Sequence, residues 1–203
     1  MIISDIQKFI FFHIPKCGGT TIRESLFKYD TRNNFFWNQV FLPGPSPKDK
    51  KLPIDKGHMT VPIFKKLFPE DYLLTSEYTV FAFTRNPVNR LISAFWEPRR
   101  ELLQNFKDNR NDNNFRKKLQ SIFNSYLEFL LRQSSFLNLQ FLHATPQNYY
   151  INYGRKVITD FAIKLEEPSE GLDALSIILP EVSQSISYAL KNKKLRQSTS
   201  STF

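Results

Sequence analysis

The segment with the clearest chemical meaning is residues 13–21, HIPKCGGTT, which lies between an apolar run and a stretch with helical spacing. Five of its residues have groups suited to contact an anion: Lys16, Gly18, Gly19, Thr20 and Thr21. Glycines let backbone N–H groups turn toward an anion, and a helix N-terminus adds unpaired donors and a positive dipole end. The segment therefore predicts a phosphate- or sulfate-binding loop at a strand-to-helix junction. The alternative is a Gly-Gly turn beside a surface lysine.

The loop differs from the ATP- and GTP-binding P-loop, because no Gly-Lys-Ser/Thr sequence occurs anywhere in the chain. Lys16 precedes the glycines and so lies at the strand end of the loop rather than at the helix start. The magnesium-binding hydroxyl that follows Gly-Lys is missing as well, which argues against ATP or GTP hydrolysis.

A second motif, residues 84–95 (TRNPVNRLISAF), follows another apolar run. Arg85 comes at the predicted strand end, where its guanidinium could donate two parallel hydrogen bonds to a phosphate. Ser93 lies two turns into the next helix and would reach an anion if that helix ran beside the site. The alternative is an arginine paired with a surface carboxylate. Arg90, Arg99 and Arg100 could bind an acidic acceptor, but a solvated helix face is the stronger expectation.

Hydrophobic patterning predicts the elements that position these motifs. Strands are expected over residues 8–14, 78–84 and 156–165, and helices over 20–29, 61–68, 87–104, 115–130, 135–143 and 172–179. Residues 42–53, with four prolines, and residues 107–114 are expected to be loops. Strands that alternate with helices predict an α/β fold with a parallel sheet.

Composition sets limits on the class of protein. The 203 residues predict one domain over residues 1–190 and a basic, Ser/Thr-rich flexible tail over 191–203. A net charge of +9 suggests an anionic partner, although no aromatic-interleaved basic run favours nucleic acid. A single cysteine, Cys17, excludes an intramolecular disulfide. Neither a signal peptide nor an apolar stretch of about 20 residues is found, so a cytoplasmic protein is expected.

Together the two motifs, HIPKCGGTT and RNPVNRLISAF, resemble those of the membrane-type sulfotransferase family that includes heparan sulfate 2-O-sulfotransferase and bacterial relatives. The resemblance implies a P-loop-like three-layer α/β fold, with a central, mostly parallel sheet flanked by helices. It also implies that PAPS (3′-phosphoadenosine 5′-phosphosulfate) is the sulfuryl donor. Residues of the first loop would bind the 5′-phosphosulfate: Lys16, Cys17, Gly18, Gly19, Thr20 and Thr21. Arg85 and Ser93 would bind the 3′-phosphate. Cys17 stands where the family usually has threonine, and a thiol is the weaker donor.

The resemblance extends to three further segments. Residues 56–58 (KGH) are similar to an element whose histidine is the catalytic base, which implies that role for His58. Residues 138–142 resemble a segment lining the substrate cleft, and residues 160–166 a late core strand. Lys16 would stabilise the charge of the leaving oxygen, and no metal is required. The acceptor hydroxyl implied is that of a saccharide, with a lipid or a small metabolite as alternatives.

His13 and His143 are expected to be structural, because the three histidines of the chain are far apart in sequence and lack metal-ligand spacing. Two other functions remain open from the residues alone. One is a nucleotide or small-molecule kinase with a variant phosphate loop, and the other is a non-catalytic binder of glycans or nucleotides. Replacing Lys16 with alanine separates an enzyme, which would lose turnover, from a binder, which would keep its ligand.

Overall fold

The computed structural model describes residues 1–32, 39–42, 52–109, 111–132 and 139–192. The strands are β1 (Ile2–Ser4), β2 (Phe9–Phe12), β3 (Gln39–Leu42), β4 (Leu52–Asp55), β5 (Thr79–Thr84), β6 (Asn152–Tyr153), β7 (Lys156–Val157) and β8 (Phe161–Lys164). The helices are α1 (Gly19–Leu26), α2 (Val61–Leu67), α3 (Pro69–Leu73), α4 (Pro87–Trp96), α5 (Arg100–Asp108), α6 (Asn113–Leu131), α7 (Asn148–Ile151), α8 (Pro168–Ile178) and α9 (Pro180–Asn192). Short 3-10 segments cover Phe27–Tyr29, Lys56–His58, Leu74–Ser76 and Leu139–Ala144.

The main sheet has four strands in the order β1-β2-β5-β8. Strands β2, β5 and β8 are parallel, and β1 is antiparallel to β2 at the edge. Phe11 of β2 pairs with Phe81 of β5, which in turn pairs with Phe161 of β8. The prediction of an α/β fold with a mostly parallel sheet is therefore confirmed.

Strand β2 is buried on both faces, as its unbroken apolar run predicts. Successive side chains of a strand point to opposite faces of the sheet. Phe11 packs against Phe81 with tilted rings whose centroids are 5.4 Å apart, while Phe12 packs edge-on against Phe64 of α2 at 5.7 Å. Helices α8 and α9 contribute Leu175, Ile186 and other apolar side chains to the same core.

The helix predicted over residues 87–104 is two helices, since α4 ends at Trp96 and α5 begins at Arg100. Pro98 accounts for the break, because it has no N–H to donate to a carbonyl of α4 and its ring clashes with the preceding turn of a continued helix. The loop predicted over residues 107–114 is shorter than expected. Asp112 accepts hydrogen bonds from the N–H groups of Asn114 and Phe115 and so starts α6 at Asn113.

Other predictions need correction at the ends of elements. Residues 156–165 are not one strand: β7 pairs with β6 in a separate hairpin, and β8 alone joins the main sheet. The predicted loop over 42–53 begins and ends in a second hairpin, β3–β4. Pro180 does not end the helical region, because proline is also well suited to the first turn of a helix and opens α9.

Some predictions fall outside the described residues. Of the expected helix over 135–143, only residues 139–143 are described, and they belong to the 3-10 segment Leu139–Ala144. Residues 193–203 of the expected tail also lie outside, so the division into domain and tail stays a prediction. Among the described residues, no helix has the length and hydropathy needed to cross a membrane.

Candidate active site

The two motifs meet at one edge of the sheet. Strands β2 and β5 are parallel neighbours, so the loop after β2 and Arg85 after β5 leave the sheet on the same side. Arg85 Nη1 donates to the backbone oxygen of Lys16 at 3.2 Å. The loop and the arginine, 69 positions apart in sequence, are therefore in direct contact.

The glycines of the first loop have separate structural roles. Gly18 has a φ of +73°, which is costly for residues with a side chain, and an added Cβ would lie 2.9 Å from Leu165 Cδ1. Gly19 lies directly against the His13 imidazole, so an added Cβ would overlap that ring. Lys16 also adopts a positive φ, +67°, without being a glycine. The backbone of this loop is therefore tightly constrained.

Helix α1 begins in a form that suits an anion. Gly18, at its N-cap, provides no side-chain hydrogen bond to the first turn, and that turn contains no acidic residue. Thr20 is exposed and Thr21 is partly exposed. The first N–H groups of a helix have no intrahelical partner, so this end combines backbone donors, hydroxyls and the positive end of the helix dipole.

Arg90 fixes the loop to α4 rather than facing solvent as expected. Its side chain is buried, with Nε donating to the Pro15 oxygen at 2.9 Å and Nη2 to the Thr145 oxygen at 2.7 Å. The sequence interpretation of Arg90 as part of a solvated face is therefore wrong. Helical spacing alone does not show that a buried backbone carbonyl of the loop accepts a hydrogen bond from this guanidinium.

Ser93 lies on the loop-facing side of α4. Residues three and four positions apart share a helix face. Arg90, three positions before Ser93, contacts the loop through Pro15, and Glu97, four positions after it, contacts Lys16. Ser93 is partly buried between these contacts, so the structure brings it to the same side as Lys16 and Arg85.

Glu97 is a site residue that the sequence analysis missed. Its Oε2 accepts from Lys16 Nζ at 2.7 Å, and its Oε1 from Arg100 Nη2 at 3.1 Å. Burial alone would raise the pKa of Glu97, but the hydrogen bond and charge of Lys16, aided by Arg100, outweigh it and lower the pKa to about 2. Glu97 is thus ionised wherever the protein is folded near neutral pH.

Arg85 also has a carboxylate neighbour, in accord with the alternative interpretation of this residue. Its Nε lies 3.9 Å from Glu166 Oε1, which accepts more closely from the Asn86 N–H at 2.9 Å. Gln147 accepts from the Arg85 N–H at 2.9 Å and donates to the Arg85 oxygen at 2.8 Å. Gln147, another missed residue, therefore fixes the backbone at the end of β5.

Cys17 turns its thiol into the protein. The side chain is 1% exposed, and Sγ donates to Gln147 Oε1 at 3.3 Å. Burial raises the pKa of this thiol to about 12, so it is protonated and unreactive as a nucleophile. Any contact of Cys17 with an anion would therefore come from its backbone.

His58 is held in one orientation by Asp55. Its Nδ1 lies 2.8 Å from Asp55 Oδ2, and Asp55 Oδ1 accepts from the Gly57 N–H at 2.7 Å. Burial lowers the pKa of His58, and the hydrogen bond to Asp55 opposes this only in part. The neutral imidazole with its proton on Nδ1 is the form this contact favours, which leaves the lone pair on Nε2.

The three histidines lie together although they are far apart in sequence. The ring centroids of His13 and His58 are 4.3 Å apart, and those of His58 and His143 are 6.1 Å apart. Burial, followed by the influence of neighbouring His58, lowers the pKa of His13 well below its usual value and that of His143 to about 4. Within the part of the chain that the structure describes, no group of three or more His, Cys, Asp or Glu side chains could hold a metal ion.

Comparison with known proteins identifies the family of the chain. A family model described as the sulfotransferase family matches residues 1–200. Neither the comparison with curated proteins nor that with solved structures gave a match. The match over almost the whole chain shows that this protein belongs to the sulfotransferase family, whose enzymes transfer a sulfuryl group from PAPS.

Proposed function

We propose that this sulfotransferase binds PAPS between the first loop and Arg85 and sulfates a hydroxyl group of a saccharide. The observation that carries the proposal is the 3.2 Å contact between Arg85 Nη1 and the Lys16 oxygen. A nucleotide with two separated anionic groups needs two binding positions on one side of the protein. This contact supports that arrangement.

The residues fit such a donor. Lys16 and the N-terminus of α1 offer a charge and backbone donors for the 5′-phosphosulfate, with Thr20 and Thr21 beside them. Arg85 and Ser93 would hold the 3′-phosphate. Bound there, PAPS supplies the sulfuryl group and a phosphate that can leave.

The chain's own residues would contribute charge stabilisation and proton removal. Lys16 places an ammonium at the loop where negative charge would develop on the leaving oxygen. His58 would accept the acceptor's proton at Nε2, because Nδ1 is engaged by Asp55. Its lowered pKa keeps His58 neutral, and hence able to act as a base, near neutral pH.

An acidic saccharide is the acceptor class that the charge favours. The chain carries a net charge of +9, and Arg100, close to Glu97 at the end of α4, has a side chain that is 70% exposed. Positive potential around a cleft concentrates anionic substrates and speeds their association. A neutral lipid or a small metabolite would gain less from this surface.

Calorimetric titration tests the donor. PAP, the desulfated product of the donor, is expected to bind the protein without magnesium and in preference to ATP–magnesium. Preferential binding of ATP–magnesium would contradict the proposal and favour a kinase.

Transfer of label from radiolabelled PAPS to uronic acid polysaccharides, compared with neutral glycans and hydroxylated lipids, then tests the acceptor class. Labelling of the lipids alone would contradict the saccharide.

A further inference from the structure

The Lys16–Glu97 ion pair places a carboxylate where the donor's anion is proposed to bind. Lys16 Nζ and Glu97 Oε2 are 2.7 Å apart, and the side chains are 18% and 34% exposed. The pair is thus neither deeply buried nor fully hydrated. It occupies the amine of the one lysine in the first loop.

Stability of the helix does not explain a glutamate at this position. Glu97 is the C-cap of α4, where a negative charge meets the negative end of the helix dipole. Its favourable contacts are instead with Lys16 and with Arg100, whose Nη2 lies 3.1 Å from Oε1. Arg100 can keep the carboxylate paired after Lys16 has left it.

We propose that Glu97 is a positioning residue that holds the Lys16 amine in the donor-free enzyme and competes with the phosphosulfate of PAPS for it. This inference rests on the proposed donor site. When the donor binds, its phosphosulfate replaces Glu97 as the anionic partner of Lys16, and Glu97 stays paired with Arg100. The competition lowers donor affinity, and it holds the lysine side chain at the loop when no donor is bound.

The proposal predicts a gain of binding, which structural damage would not produce. Glu97→Gln removes the charge but keeps the shape of the side chain. We expect it to bind PAP about five- to twentyfold more tightly than the wild type, since the ion pair that competes for the Lys16 amine is removed. Glu97→Asp keeps the charge on a shorter side chain and is expected to gain less. Thermal unfolding of each variant verifies that it is folded, and Glu97→Ala is a second neutral variant.

Glu101→Gln is the matched control. Glu101 lies in the exposed first turn of α5, so this variant changes the net charge equally without touching Lys16. It is expected to change PAP affinity less than about twofold. Adding Glu97→Gln to a Lys16→Ala background should also give a much smaller gain, because the contested amine is absent.

The outcomes separate the two proposals. Tighter PAP binding by Glu97→Gln that shrinks in the Lys16→Ala background supports the competition. PAP binding that is unaffected by Glu97→Gln, or that rises equally in both backgrounds or in Glu101→Gln, overturns the competition and leaves the donor site intact. A wild type and variants that all fail to bind PAP overturn the proposed function together with this inference.

Discussion

Two clusters at the same edge of the sheet differ in whether their surroundings favour or disfavour positive charge. The cation cluster, Lys16, Arg85 and Arg90, contacts backbone oxygens and carboxylates that stabilise positive charge. The histidine cluster, His13, His58 and His143, consists of rings packed against one another, and burial lowers the pKa of each. One cluster consists of cationic side chains, and the other is neutral at neutral pH.

The difference corresponds to two tasks in sulfuryl transfer. Binding an anionic donor needs positive charge that persists at every working pH, which arginine and lysine provide. Removing a proton from a hydroxyl needs an uncharged base, which a desolvated histidine provides. Because His143 is influenced by both His58 and Lys16, the two clusters adjoin. Substitutions in one cluster should therefore affect donor handling, and those in the other proton removal.

The largest effect is expected from Lys16→Ala. Losing the ammonium beside the leaving oxygen should lower kcat about a thousandfold, the scale found for a group that stabilises developing charge. The measurement is initial-rate transfer of label from PAPS. Lys118→Ala, on an exposed position of α6, is the control and should keep full activity. If Lys16→Ala retained wild-type kcat, the assignment of leaving-group stabilisation to the cation cluster would be wrong.

A smaller loss is expected from His58→Gln. Removing the base should lower kcat about a hundredfold, with little change in PAP affinity, because the histidine cluster does not hold the donor. Asp55→Asn should lower kcat less and alter its pH dependence, since Asp55 fixes the tautomer of His58 and raises its pKa. Rates and PAP binding are measured for each variant.

His143→Gln is the matched control for the base. If His143→Gln lost more activity than His58→Gln, the base would be the more exposed histidine, and His58 would have a supporting role.

Arg85→Ala tests the role of the cation cluster in donor binding. It should weaken PAP binding by roughly 1.5–3 kcal/mol, the range for hydrogen bonds to a charged group, which is about a ten- to hundredfold change in Kd. Calorimetry provides the measurement, with Arg116→Ala on the exposed face of α6 as control. Unchanged PAP affinity in Arg85→Ala would indicate that Glu166, 3.9 Å away, is the functional partner of this arginine.

Local patterns predicted strands β2 and β5, the first loop and the presence of Arg85 at a strand end, since each depends on a short stretch of sequence. The match of residues 1–200 to the sulfotransferase family confirms the family that these two motifs indicated. The ends of helices were harder to predict, because Pro98 follows the end of a helix whereas Pro180 begins one. A proline in the sequence does not by itself show whether a helix ends or begins there.

Contacts between distant residues could not be predicted from spacing. Glu97 and Lys16 are 81 positions apart, and His13, His58 and His143 come from three separate segments of the chain. A signal for Glu97 existed in retrospect, since a carboxylate at the C-terminal end of a helix meets the negative end of the helix dipole. Its partner was set by the packing of α4 against the loop, where Arg90 is bound by Pro15 and Thr145.

The smallest effect tests the neutral state of the histidine cluster through stability. His143 has a pKa of about 4 in the folded protein, below the value near 6.5 of an unfolded histidine, so the unfolded chain takes up its proton first as pH falls. Its contribution to stability is therefore fully present above pH 6.5 and is lost as pH falls toward 4. Between pH 7 and pH 5, His143→Gln should lose about 2 kcal/mol less unfolding free energy than the wild type. Urea unfolding of both proteins at both pH values measures this difference, because groups that titrate alike in the two proteins contribute equally to each. Equal losses of unfolding free energy in the two proteins would indicate that His143 is already charged beside Glu97.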